Sequence, residues 1–339
     1  MKIKILALAL AGTIGLVGCG SDDNDVAQQL DIVETAIANG SFNTLVTAVT
    51  TADLVGTLQG EGPFTVFAPT DDAFTAYLTE NDITSADLLA DNSLSDILTY
   101  HVLAGEVLAN AAISIAQSDS NTTSTLSGSD SNSENGALIA LSLTGEDLYV
   151  NLSKVIIPNV QTSNGVIHAI NKVLVPPTAS DLSDTNETIA GLVTALAGAS
   201  VPEFTTLLAA LSQEGLDTSL DGAGPFTVFA PTDAAFVALI AALDDVDDAS
   251  DLLALPNLAD ILKQHVINGS EIDSVMAFAA NGADIQTLNS AAEVSILIND
   301  GVLTIEGAPV VITDVQTSNG VIHVISSVIA TTDTSLSEM

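Results

Sequence analysis

The sequence has no arginine, no tryptophan, one cysteine and four histidines in 339 residues. Five lysines stand against 43 aspartates and glutamates, a formal net charge of −38. Each scarcity removes a class of function. Phosphate backbones are bound by clustered cations that displace counterions, so nucleic acid is not an expected partner. A single cysteine excludes an internal disulfide framework. Two histidines per half, without a thiol, fall short of the three or four ligands that zinc takes. No G-x-S-x-G elbow, H-E-x-x-H helix or phosphate-binding glycine loop occurs, so no enzyme, no cofactor and no metal site is expected.

A strongly acidic balance often accompanies disorder, but 47% of the residues are hydrophobic and they recur at regular spacing. The chain is therefore expected to fold, with an acidic and hydrated surface. Its length allows two domains, each with its own core.

Lys2 and Lys4 precede an apolar run from Ile5 to Val17, too short to span a bilayer but suited to a secretory signal. The run ends in Leu16-Val17-Gly18-Cys19, which resembles the bacterial lipoprotein box. That resemblance implies cleavage after residue 18 and lipid on Cys19. Cleavage removes two lysines and no acid, lowering the net charge to −40. Each buried lipid methylene contributes about 0.8 kcal/mol, so several acyl chains would hold the chain at a membrane. Residues 19–27, with the polar run "GSDDND", read as a tether. In lipoproteins of this kind an aspartate after the cysteine favours the inner membrane; Gly20 stands there, which points to the outer one.

Beyond the tether the chain repeats itself. "GPFTVFAPTDDAF" (62–74) returns as "GPFTVFAPTDAAF" (224–236), a His-Val pair follows each (His101-Val102, His265-Val266), and "QTSNGVIH" (161–168) recurs unchanged at 316–323. A period of roughly 150 residues is a domain, not a solenoid module. The chain divides into a signal (1–18), a tether (19–27), domain one (28–177), a linker (178–185), domain two (186–331) and a tail (332–339).

The two boxes, in the same order in both copies, resemble the fasciclin domain family. The first family box matches 62–74 and 224–236, and the last matches 164–170 and 319–325. A family Tyr-His pair matches Tyr100-His101; in the second copy Gln264 precedes His265 instead. The resemblance implies an α+β fold, two consecutive fasciclin-like domains, each a β-wedge or sandwich flanked by short helices. It also implies adhesion to other cells, matrix or polysaccharide, with receptor binding associated with the Tyr-His region in animal relatives. Tyr100, His101 and His265 are accordingly the candidate binding residues, and a packed pair at a helix end is the competing reading of the first two.

The boxes also follow from local physics. Phe64-Thr65-Val66-Phe67 favours a strand, and Pro69, lacking an N–H, ends its ladder. Thr70 is placed to cap a following helix, with Asp71 in its first turn near the positive end of the helix dipole. Thr232 and Asp233 repeat this. Capping is a sufficient role for either aspartate, and acid catalysis is the sharper alternative. Asn164-Gly165 and Asn319-Gly320 are turn signals, each leading into a strand apolar on both faces, so His168 and His323 should point inward and bond to backbone groups of the preceding helical region.

Helical spacing is read in Leu30, Val33 and Ile37, then in Phe42, Leu45, Val46 and Val49, with a break at Gly40. "VSILINDGVLTIEG" reads as a hairpin around Asn299-Asp300-Gly301. The serine-rich stretch 118–136 is expected to be a mobile inserted loop, and "LDDVDDASD" (243–251) a solvated acidic face, since it lacks the spacing of a calcium loop.

Together these features describe a lipid-anchored surface adhesion protein, its membrane contact made through Cys19. Its partners would be a cell-surface or matrix protein or a polysaccharide, the latter bridged by cations where it is anionic. The alternative is a periplasm-facing envelope scaffold or assembly factor that binds a protein partner.

Overall fold

The computed structural model describes residues 29–118, 121–127, 137–176, 187–200, 203–243 and 246–329. The signal, Cys19, the tether, the linker and the tail lie outside the described residues.

The first half runs α1 (Ile32–Asn39), α2 (Asn43–Thr51), α3 (Val55–Leu58), β1 (Phe64–Pro69), α4 (Asp71–Glu80), α5 (Ser85–Ala90), α6 (Leu94–Tyr100), β2 (Val102–Ala104), α7 (Ala109–Ala116), β3 (Thr122–Ser124), β4 (Leu138–Thr144), β5 (Asp147–Val150), β6 (Ser153–Thr162) and β7 (Gly165–Ile170). The second half repeats that order: α8 (Ile189–Ala197), α9 (Thr205–Gln213), α10 (Leu216–Leu220), β8 (Phe226–Pro231), α11 (Asp233–Ala242), α12 (Ala249–Leu253), α13 (Leu258–Gln264), β9 (Val266–Asn268), α14 (Ser274–Ala279), β10 (Ala283–Gln286), β11 (Glu293–Asn299), β12 (Val302–Ile305), β13 (Ala308–Thr317) and β14 (Gly320–Ile325). Each half is an α+β domain with one seven-stranded sheet, ordered β2-β1-β7-β6-β5-β4-β3 and β9-β8-β14-β13-β12-β11-β10.

The last strand of each repeat lies between the first strand, to which it is parallel, and its own antiparallel neighbour. All six residues of β7 and of β14 are buried, as expected for a strand apolar on both faces. Gly40 ends α1 in the left-handed region at φ 74°. The buried face of α1 is Ile32, Val33 and Ala36, whereas Leu30 and Ile37 are exposed. The sequence reading thus placed the apolar stripe partly on the wrong side. Asp300 and Gly301, at φ 51° and 74°, make the two-residue turn between β11 and β12, which positive-φ residues favour.

The serine-rich insertion is not wholly loop. Residues 122–124 pair with β4, and Thr125 and Ser127 are buried, because Leu126 N–H reaches Val102 O at 2.8 Å and Thr125 Oγ1 donates to Ala137 O. Residues 119–120 and 128–136 of that stretch lie outside the described residues.

The two domains touch. Ala140 of β4 and Tyr149 of β5 join the apolar cluster of domain two that contains Val275 and Phe278 of α14. Polar contacts rim it: Lys172 Nζ donates to Gly301 O at 2.7 Å, Thr144 Oγ1 to Ile298 O at 3.1 Å and Asn121 Nδ2 to Ala279 O at 2.5 Å. The backbone bonds Asn151-to-Ala140 and Glu306-to-Ser295 set the correspondence between repeats. By that correspondence, Ser295 and Thr304 of domain two stand where domain one has Ala140 and Tyr149. The docking face of domain one is thus apolar where its counterpart is polar.

Candidate functional site

The duplicated boxes come together at one end of each sheet, and nearly every polar group in them is spent on holding elements in place. Thr70 caps α4, its hydroxyl accepting from Ala73 N–H at 3.3 Å; Thr232 caps α11 at 3.1 Å. Asp71 does something else. Its carboxylate accepts Thr44 N–H at 2.7 Å, Asn43 N–H at 3.3 Å and Asn43 Nδ2 at 3.0 Å, so it caps α2, whose own N-cap residue Phe42 has no oxygen to offer. Asp233 caps α9 in the same way, through Thr206 N–H at 2.9 Å, Thr205 N–H at 3.1 Å and Thr205 Oγ1 at 2.8 Å. Burial pushes both carboxyls up, but these hydrogen bonds together outweigh it and hold each below its usual value. Both groups are therefore ionised at neutral pH.

Asn164 is a clamp as well as a turn residue. Its Oδ1 accepts Ile32 N–H at 3.0 Å, the start of α1, and its Nδ2 donates to Leu58 O and Gly60 O at 2.8 and 3.1 Å. Asn319 reproduces the set with Ile189, Leu220 and Gly222. Gly165 is required by crowding: a Cβ there would lie 2.1 Å from Phe64 O, and at Gly320 2.1 Å from Phe226 O. The first strand passes too close for any side chain.

His168 is fully buried and stacks on Phe67, with ring centroids 5.5 Å apart. Its Nε2 donates to Val107 O at 2.8 Å, and its Nδ1 accepts from Asn159 N–H at 3.3 Å. His323 repeats this with Phe229, Ile272 O and Asp314 N–H. The partners are thus the loop before α7 or α14 and the irregular strand β6 or β13, not the helical region expected from the sequence. Burial lowers the His168 pKa.

The candidate binding residues are corrected by the structure. Tyr100, His101 and His265 are buried, at 0, 1 and 2% exposure, so none can meet a partner at the surface. Tyr100 OH donates to Leu138 O at 2.7 Å and accepts from Asn151 Nδ2 at 3.0 Å. His101 Nδ1 donates to Ile97 O at 2.7 Å, while Nε2 accepts Leu174 N–H at 2.8 Å. His265 does the same with Ile261 O and Ile329 N–H. Burial pushes both imidazoles down to about 4. Each pins the segment leaving the last strand to the helix before the second strand.

Two polar positions escaped the sequence reading. Asn159 and Asp314, both in the left-handed region near φ 60°, accept the N–H of Ala109 and of Ser274 at the starts of α7 and α14. The signal was present: residues that tolerate positive φ stand at the same offset before each octapeptide. Among the described residues no cluster of three or more metal-ligating side chains occurs. In the aspartate-rich stretch, Asp248 caps α12 through Ser250 and Asp251 N–H, and residues 244 and 245 lie outside the described residues.

Some apolar side chains are also left outward. Ile156 and Ile157 of β6 are 44 and 49% exposed, and Val311 and Ile312 of β13 are 55 and 44% exposed. These pairs fall at matching places where the strands shift register, and the irregularity turns neighbouring side chains outward together. No helix among the described residues is long and apolar enough to cross a membrane.

Protein sll1483 of Synechocystis sp. is 44% identical over 150 residues, which cover 44% of this chain and 74% of that protein. The transforming growth factor-beta-induced protein ig-h3 of Sus scrofa is 26% identical over 315 residues, 88% of this chain and 39% of that protein. Among solved structures, a FAS1 domain pair from the insect cell adhesion molecule Fasciclin I aligns with 18% identity and a TM-score of 0.37, covering 88% of this chain and 99% of that one. The family model for the fasciclin domain matches residues 40–176 and 202–331, and the chain belongs to the fasciclin domain family as a tandem pair.

Proposed function

We propose that this protein is a non-enzymatic surface adhesion protein, anchored by lipid on Cys19 and binding cell-surface, matrix or polysaccharide partners through its two fasciclin domains. One observation carries the reading. The duplicated histidines, threonines, asparagines and aspartates, the groups able to do chemistry, are committed to hydrogen bonds inside their own domains. Meanwhile each domain presents an exposed apolar pair. Such a surface is suited to contact, not turnover. Membership of the fasciclin domain family supports the same reading. The signal-like start and the lipoprotein-like box at Cys19 support export and anchoring, with Gly20 favouring the outer membrane.

The test is attachment. Deleting the gene, or adding the soluble chain as competitor, should reduce attachment of the cells and their biofilm; unchanged attachment in both assays would reject adhesion. Protease shaving of intact cells should digest the protein. Complete protection would place it facing the periplasm and favour a scaffold or assembly role. Replacing Cys19 with serine should abolish incorporation of labelled palmitate and release the protein from membranes.

A further inference from the structure

The two exposed apolar pairs are not equivalent. In domain two, Val311 and Ile312 form one wall of a groove whose other wall is Leu192, Leu196 and Phe204. The start of α1 and the start of α8 bond to Asn164 and Asn319 in the same way, which aligns the two helices residue by residue. In that alignment Thr35 and Asn39 of domain one replace Leu192 and Leu196. Domain one therefore has polar residues at the two positions that wall the trough in domain two, and its own apolar cavity, lined by Ile32, Val33, Ala36 and Leu126 among others, does not include Ile156 or Ile157 and encloses only about 40 Å³.

The groove is open and encloses about 250 Å³. That is smaller than the usual small-molecule pocket of roughly 300–1,000 Å³, and it suits a few side chains of a longer chain rather than a whole ligand. Charge then selects the partner. Among the described residues lining the groove, the one charged side chain is Glu203. Residues 187–329 carry 19 aspartates and glutamates against one lysine. A field of that sign repels acidic segments and anionic polysaccharide, and draws in cationic ones.

We propose that this groove is a docking site for a protein segment that presents large apolar side chains flanked by lysine or arginine, and that domain two alone carries it. The apolar side chains fill the trough against Val311 and Ile312, and the flanking cations are drawn by Glu203 and the acidic field of the domain. This rests on the adhesion reading and names its partner class: a basic protein surface, recognised at one site per chain.

The probe is a fluorescent 15-residue peptide of alternating leucine and lysine, titrated into the purified two-domain chain by anisotropy in 150 mM NaCl. Controls replace every lysine with glutamine or with glutamate. The lysine peptide should bind at least about ten-fold tighter than either control. The double variant Val311→Asp/Ile312→Asp should weaken it at least about ten-fold, although it adds negative charge and would strengthen a merely electrostatic attraction. Ile156→Asp/Ile157→Asp should bind like wild type. Both pairs are about half exposed, so the variants should keep their circular dichroism, which is recorded alongside.

Undiminished binding in the domain-two variant, equal losses in both variants, or no preference for the lysine peptide would each overturn the proposal. Failure here and failure of adhesion are separable. A chain that ignores the peptide but still competes for cell attachment loses the groove and keeps adhesion. One that binds the peptide as described but does not affect attachment keeps the groove and loses adhesion.

Discussion

Asp71 caps a helix 27 positions before it: its Oδ1 accepts the N–H of Thr44 at 2.7 Å, while its own helix is capped by Thr70. Asp233 and Thr206 repeat the relationship at 2.9 Å. The Thr-Asp dipeptide of each box thus serves two helix starts at once.

Replacing Asp71 with alanine should cost about 1–2 kcal/mol, the range for losing a side-chain cap, even though it removes one negative charge from an over-charged chain. Asp72, exposed in the same turn, is the control: Asp72→Ala should be neutral or slightly stabilising. Urea unfolding of the two variants beside wild type measures the difference.

Gly165→Ala should destabilise the protein by about 3 kcal/mol, since the new Cβ meets the Phe64 backbone and must part β1 from β7. Gly40→Ala, where a Cβ meets open space but φ is 74°, should cost only about 1 kcal/mol. Equal effects in urea unfolding would show that crowding is not what demands glycine at position 165.

Acid should unfold the protein through His101 and His265. Their folded pKa, about 4, lies below the usual 6.5, so between these values the unfolded chain binds more protons and stability falls with falling pH. The contribution is fully present above pH 6.5. Each histidine withdraws about 3 kcal/mol by the time pH 4 is passed. Urea unfolding in 1 M NaCl, where carboxylate repulsion is screened to about 3 Å, should show the decline from pH 7 to 4. A flat profile would contradict it.

At neutral pH the excess charge predicts the effect of salt. Two ion pairs occur among the described residues, Lys154–Asp147 and Lys263–Asp260, against 43 acids in the sequence. The melting temperature should rise with NaCl as repulsion is screened. A constant melting temperature from 10 mM to 1 M would refute the charge argument.

The domain junction makes a further prediction. Ala140 is fully buried in the cluster that includes Phe278, so Ala140→Glu should insert an unpaired charge there. Calorimetry of wild type should give one transition, and of the variant two.

Much of this was legible in the sequence, and what was not has a common cause. The strands of the boxes, the threonine caps and the turn at Asp300-Gly301 are set by residues adjacent in the chain. The Asp71–Thr44 cap, the Tyr100–Asn151 bond and the docking of Tyr149 on α14 join residues far apart, and no local pattern announces them. The strand at 122–124 was hidden because serine and threonine give no apolar alternation. Tyr100, His101 and His265 were assigned to binding by family resemblance, while local spacing could not show that the sheet and the chain after the last strand cover them.

The central claim is that the repeated histidines are internal struts of the architecture. Ring-nitrogen NMR of the four imidazoles at pH 7.5 tests it most directly, because the hydrogen bonds assign tautomers in two pairs. His168 and His323 should carry a proton on Nε2, and His101 and His265 should be neutral with the proton on Nδ1. Four rings averaging between tautomers, as freely solvated imidazoles do, would contradict the account.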